Sequence, residues 1–281
     1  MSISCQEEPA DEIYICAHKC TDASFSELEE LMLWCRTVLK IDPQLLRVNQ
    51  GERGTPINAS IDASNTSLIV IVDDDDLVLP NYTRLFSEAH GQNPSSILRM
   101  RVYGRYQNLS PVNQRFSVSN VFPIYSKRFQ ISQTMLQNQT PLIGFAFPLR
   151  PLKTSSLYFS EELKVLEDWD FILRCASILP VVEIEQHGCI YNLDRDRWLS
   201  NENKEIWEAA RKQILANVNS ESFRSKIETG DTGRIRAHKR VFQSKMAQIL
   251  SSTYRFFLPQ VRRVVPPGGV IYRMFLRLFQ P

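Results

Sequence analysis

Four consecutive aspartates, Asp73 to Asp76, follow the apolar run SLIVIV and precede LVLP, so that carboxylates crowd the end of a strand-like segment. Charges of one sign so close together repel one another unless a cation sits among them. The carboxyl ends of strands in open α/β sheets are also where ligands bind. The run therefore reads as a divalent metal site on a strand tip, and its alternative is a solvated acidic turn. A second acidic group, Glu167, Asp168 and Asp170 around Trp169, opens a segment with helical spacing. By residue type alone these carboxylates stabilise a first helical turn through capping and the helix dipole.

Both groups need a scaffold, and the alternation of patterns supplies one. Asp11 to Cys16 reads as a short strand, and Ser24 to Leu39 as an amphipathic helix with apolar positions at Leu28, Leu31, Met32, Cys35, Val38 and Leu39. Leu45–Val48 is a second strand, Pro56 to Ala63 a helix, Leu68–Val72 a fully buried central strand, and Asn81 to His90 a helix after the proline. Ser95 to Tyr106, Phe116 to Ser126 and Leu142 to Pro148 read as strands, Asp168 to Leu179 as a helix, and Val181–Ile184 and Cys189–Tyr191 as two closing strands. Strands alternating with helices predict an α/β fold with a mostly parallel sheet and helices on both faces.

Composition sets the outer bounds. The 281 residues are 43% hydrophobic and 23% charged, which is ordinary for a globular chain and argues against disorder. No apolar stretch reaches the roughly eighteen residues a bilayer span requires, and Met1 to Glu12 has neither the basic start nor the apolar core of a signal peptide. A cytoplasmic protein is expected. The six cysteines contain no CxxC pair, so free thiols are expected in place of zinc ligands or disulfides. His187 reads as a loop histidine.

Three segments in order, ERGTPINASIDAS (52–64), SLIVIVDDDDLVLPNYTRLF (67–86) and YFSEELKVLEDWDFILRCA (158–176), resemble the large family of inverting nucleotide-sugar glycosyltransferases with the GT-A fold. The resemblance spans about residues 3 to 195. It implies transfer of a sugar from a nucleotide-sugar donor to a hydroxyl of a glycan or lipid-linked acceptor, dependent on Mg²⁺ or Mn²⁺. On the matching positions it implies Asp73 and Asp75 as metal ligands, with Asp75 the principal one, and Asp74 near the nucleotide ribose. It also places Arg53 and Asn58 near the nucleotide and makes Asp168 the base that deprotonates the acceptor. Hard carboxylate oxygens suit such a cation, which neutralises a diphosphate leaving group. If strand geometry persists through the run, Asp73 and Asp75 share one side, and Asp74 and Asp76 the other.

Against the family pattern, the first strand and helix are absent ahead of Asp11, Ala17-His18-Lys19-Cys20 replaces an acidic turn, and Ile57 stands where the pattern has arginine. These departures fall on the nucleotide-binding half. They predict weakened donor binding, and the alternative expectation is an impaired glycosyltransferase remnant that binds membranes or partners. Acceptor specificity is expected within residues 95 to 150.

The charge is unevenly spread. Residues 231 to 281 hold ten Lys or Arg and one acidic residue, hence +9 within a chain of net +2, leaving −7 for residues 1 to 230. A GT-A domain over residues 1–200 is expected, followed by a basic helical extension over 201–281. Arginines mixed with aromatics in that extension suit an anionic membrane surface on the inner face of the membrane, or packing on the body. No nucleic-acid recognition module is recognisable.

Overall fold

The computed structural model describes residues 2–109, 116–194 and 204–218. The described residues all belong to one compact unit, Met1–Gly230. The basic extension beyond residue 218, with His238, lies outside the described residues, as does Arg197.

This unit opens with a 3₁₀ turn, Ser2–Cys5, and then β1 (Tyr14–His18), α1 (Asp22–Trp34), β2 (Gln44–Val48) and α2 (Gly54–Ala63). Thr21 caps α1 through its hydroxyl, which accepts the Ser24 N–H. The predicted helix to Leu39 ends in a wider π turn, Cys35–Leu39, and Lys40 leaves it in the left-handed region. Then come β3 (Leu68–Val70), β4 (Leu77–Val78), α3 (Tyr82–Gln92) and the long β5 (Ile97–Leu109). The rest comprises β6 (Phe116–Val118), β7 (Phe122–Ile124), α4 (Ile131–Thr134), β8 (Phe145–Pro148), α5 (Leu149–Thr154), α6 (Glu167–Ala176), β9 (Val181–Asp194) and α7 (Lys204–Val218).

The α/β class holds, but the strand pairing is mixed. β1 and β2 form a parallel pair of their own. The main sheet runs β3-β8-β5-β9-β4 with β6 and β7 also on β5. In it only β5 and β9 are parallel; the other described pairings are antiparallel. The expectation of a mostly parallel sheet is corrected accordingly. β6 and β7 return on β5 without a helix between, which suits antiparallel pairing, while β3–β8 and β4–β9 join strands distant in sequence. The two short strands predicted at Val181–Ile184 and Cys189–Tyr191 are one strand, with register shifts opposite Met100 and Arg101. Gly188 lies at that irregularity because a Cβ there would stand 2.3 Å from Met100 Sδ.

Side-chain alternation assigns the two faces of the sheet. Ile97, Phe145 and Phe147 pack with Ile61 of α2, Leu149 and Leu152 of α5, and Phe171 and Ile172 of α6. Leu98, Met100, Val102 and Ala146 pack instead with Tyr82, Leu85 and Phe86 of α3. Helices thus cover both faces, as expected of strands whose successive residues point oppositely. α7, expected in the extension, packs Ala210 and Ile214 against Leu163, Trp169 and Leu173 around α6.

One expectation about burial is overturned. β3 is the edge of the main sheet, paired among the described residues with β8 alone. Leu68 and Ile69 are therefore half-buried and Val70 is 37% exposed. The N-terminal segment runs alongside the β4–α3 junction. Ser2 Oγ accepts the Val78 N–H, Glu7 N–H bonds Pro80 O at 2.7 Å, and Glu7 pairs with Arg84 at 2.6 Å.

Candidate functional site

The aspartates occupy a turn held at both ends. β3 enters it from its pairing with β8, and β4 leaves it on β9 through Leu77↔Ile190 and Val78↔Cys189. Strand geometry stops at Val70, and the Asp76 N–H closes a turn on Asp73 O at 3.1 Å. The strict two-sided alternation expected of the run is therefore broken. Asp73, Asp75 and Asp76 each bring a carboxylate oxygen within 4.8 Å of the others, and Asp74 does not join them.

Asp76 is the buried member, and its two oxygens differ. Oδ1 accepts the Asn192 N–H at 2.8 Å, while Asn192 Nδ2 bonds Asp75 O. Oδ2 is buried without a hydrogen-bond partner among the described residues. Burial, opposed by the Asn192 bond and reinforced by the charges of Asp75, Asp73 and Asp74, pushes the Asp76 carboxyl up to about 8. Asp73 keeps an open face to solvent, yet the surrounding protein raises its carboxyl too. Arg53 opposes that rise, and Asp75, Asp168 and Asp74 add to it. A buried orphan oxygen among converging carboxylates is a donor set of hard oxygens, suited to Mg²⁺, Mn²⁺ or Ca²⁺ rather than a softer metal.

Arg53 faces this cluster from the start of α2. Its Nε lies 3.1 Å from Glu167 Oε1, and its charge holds down Asp73, Glu167 and Asp168 together. Gly54 makes that approach possible, because a Cβ at this position would stand 2.6 Å from Ser160 O. Asn58, expected near the nucleotide, is buried, and its amide is committed elsewhere. Nδ2 donates to Phe159 O at 3.0 Å and Oδ1 accepts the Phe159 N–H at 2.8 Å. It therefore ties α2 to the segment leading into α6.

Asp168 opens α6 behind Leu166, whose φ of 63° is the left-handed bend that starts the helix. Trp169 anchors the turn through Nε1 to Thr134 O at 2.6 Å. Arg174 does so from the next turn, pairing with Asp170 at 2.7 Å and donating to Tyr158 O at 2.7 Å. Desolvation raises the Asp168 carboxyl, against the bonds from the Trp169 N–H, Asn138 and its own N–H and the charge of Arg53. Its neighbour Glu167 is pushed up to about 7 by burial, with Arg53 opposing. Glu167 Oε2 has no partner among the described residues.

Several contributors were invisible in the sequence. Alternation set Asp76 on the side away from Asp73 and Asp75, but the turn brings it into their cluster. Asn138 donates to Asp168 Oδ2 at 3.0 Å. Tyr191 on β9 is within charge reach of both acidic groups, its hydroxyl raised by burial and by Asp76, Asp168 and Asp73. Tyr125 is raised by burial and Asp168 and has a φ of 50°. No pattern marks a lone asparagine or tyrosine for such a place. His187 sits in β9, stacked on Tyr103 at 4.1 Å between ring centroids. The six cysteines are free, with Cys35, Cys175 and Cys189 buried.

The architecture is a mixed α/β sheet with helices on both faces. It is similar to TarS of S. aureus: to TarS 1-349 with a TM-score of 0.54 at 18% identity, covering 78% of this chain and 60% of that one. The complex of TarS 1-349 with UDP matches at 0.50 and 19% identity, over 77% of this chain and 64% of that one. The complex with UDP-GlcNAc matches at 0.52 and 18%, over 83% and 68%. The chain thus spans less than two thirds of the length of the first two of these. No family model matches the sequence, and no curated protein does. Among the described residues no helix is long and apolar enough to cross a membrane.

Proposed function

We propose that this chain transfers a sugar from a nucleotide-sugar donor, with inversion, to a hydroxyl of a glycan or lipid-linked acceptor, using Mg²⁺ or Mn²⁺. The observation that carries the reading is the convergence of Asp73, Asp75 and Asp76, with a buried Asp76 oxygen unpartnered among the described residues, together with the reach of the Arg53 charge to both Asp73 and Asp168. The likeness of fold to TarS, whose structures hold UDP and UDP-GlcNAc, favours a UDP-linked donor.

Asp75, Asp73 and the free oxygen of Asp76 would hold the cation, which when bound supplies positive charge to the diphosphate leaving group. Arg53 restrains the carboxylates and adds a fixed positive charge beside them. Asp74, exposed in the turn, would contact the donor ribose. In the transfer, the acceptor oxygen bonds to the anomeric carbon as the bond to the diphosphate breaks. The acceptor proton goes to the Asp168 carboxylate, which burial makes more basic than an exposed aspartate. One displacement at one carbon inverts it.

Release of UDP from UDP-GlcNAc, measured with Mn²⁺ and a panel of glycan and lipid-linked acceptors, tests this. Asp75→Ala and Asp168→Asn should each lower turnover by about 10²–10⁴-fold with the melting temperature held; full turnover in either variant removes that residue from its role. A non-catalytic remnant is the second reading, and the observation favouring it is the outer edge of β3, unpaired among the described residues, next to the acidic turn. Under that reading the extension would serve binding to an anionic membrane or a partner.

A further inference from the structure

Asp168 is reached by a line of side chains that starts at a buried charge. Arg99, in β5, is 1% exposed, and all of its guanidinium nitrogens are engaged. Nη1 pairs with Glu183 at 2.8 Å and donates to Lys127 O at 2.9 Å, and Nη2 donates to Tyr125 O at 2.8 Å. Glu183 in turn accepts the Phe129 N–H at 2.6 Å. These bonds fasten the 125–129 segment to the sheet and would be enough for a structural strut.

The remaining donor goes elsewhere. Arg99 Nε bonds Thr140 Oγ1 at 2.6 Å, and Thr140 is 1% exposed. The Thr140 N–H donates to Asn138 Oδ1 at 3.3 Å, and Asn138 Nδ2 donates to Asp168 Oδ2 at 3.0 Å. A backbone N–H can only donate, so it selects the amide oxygen and leaves the amide N–H for the carboxylate, which can only accept. The order of donors therefore fixes which way Asn138 faces. We propose that Asn138, held by Thr140 and Arg99, is a positioning residue that sets the orientation of the Asp168 carboxylate for the acceptor hydroxyl.

This rests on the reading of Asp168 as the base, so the test separates the two. Aspartates are labelled with ¹³C at the carboxyl and titrated by NMR in the full chain, with Asp168 assigned through Asp168→Asn. The charged or titratable groups facing Asp168 are Arg53 at the start of α2, Asp73 in the metal turn, Glu167 in α6, Tyr125 after β7 and Tyr191 in β9. All are retained in the variants, so a difference isolates Asn138. A hydrogen bond to a charged group is worth about 1.5–3 kcal/mol, so Asn138→Leu should raise the Asp168 midpoint by about one pH unit or more. Thr140→Val should move it less, in the same direction, and serves if the first variant folds poorly.

With UDP-GlcNAc, kcat should fall by about 10-fold or more at unchanged donor KM. An unmoved Asp168 midpoint in a folded variant overturns the inference, as does a raised KM at constant kcat. If the wild-type chain turns over no donor, the functional reading fails on its own, whereas the Asp168 midpoint still decides whether Asn138 governs this carboxylate.

Discussion

The β1–β2 pair with α1 and the main sheet are built to different standards. In the pair, Ala17 is the one buried strand residue, α1 buries Met32, and Leu31 and Leu33 are exposed. In the main sheet Ile97, Leu98, Met100, Phe145, Ala146 and Phe147 are all at 1% exposure or less. Apolar burial is the main favourable term in folding, so the sheet carries the stability and the pair is the weaker partner. The acidic turn belongs to β3 at the edge of the sheet, whereas Asp168 and its support from Asn138 and Trp169 stand on the densely packed side. The lesson is that Asp168, the proposed base, is positioned by the core and the acidic turn by two short pairings, with β8 and β9.

That contrast can be broken from either side. Truncating Phe171, stacked on Phe159 at 3.9 Å, should cost about 3–5 kcal/mol in chemical denaturation. Ile15→Ala in β1, half-buried, should cost about 1 kcal/mol; equal losses would show the two regions to be equally consolidated. Gly54→Ala, with its Cβ against Ser160 O, should cost about 1–3 kcal/mol by overpacking and shift the Arg53–Glu167 pair, visible as a change in the Glu167 titration.

The site itself should make stability depend on pH. Asp76 in the folded chain holds its proton up to about 8 and Glu167 to about 7, whereas the unfolded chain releases both near the ordinary carboxylate values of 3.8 and 4.5. The folded state thus binds more protons in that window, so its stability is full below about pH 4 from these groups and falls as pH rises toward 8. The melting temperature should fall across that range, less so in Asp76→Asn, and Mn²⁺ should offset the fall by favouring the carboxylate form. A melting temperature indifferent to Mn²⁺ at pH 8 would contradict the donor set. The smallest effect is expected at the surface: Arg36→Ala, which removes the exposed pair with Asp42, should change stability by no more than about 0.5 kcal/mol.

What was legible in the sequence follows the same division. Asp73 and Asp75 stand out by type and crowding, whereas Arg53 and Asp168 are singled out by the family resemblance; the structure brings Arg53, Asp73 and Asp168 within reach of one another's charge. Asp76 was assigned a lesser part because alternation was extended past Val70, where a turn takes over. Asn58 carried the family pattern, yet its amide serves Phe159. Arg99, the Asn138–Thr140 pair and Asp168 are ordinary residue types far apart in sequence, and only the folded chain brings them into line. β9 was read as two strands because its register shift interrupts the periodicity that a sequence window detects.

The most direct test of the central claim, that the acidic turn is a metal-dependent nucleotide site, is titration calorimetry of the folded chain with UDP in the presence and absence of Mn²⁺. The account predicts binding that requires Mn²⁺ and is lost in Asp75→Ala. UDP binding that is equal without the metal or in the variant, or no binding by a demonstrably folded chain, would contradict it.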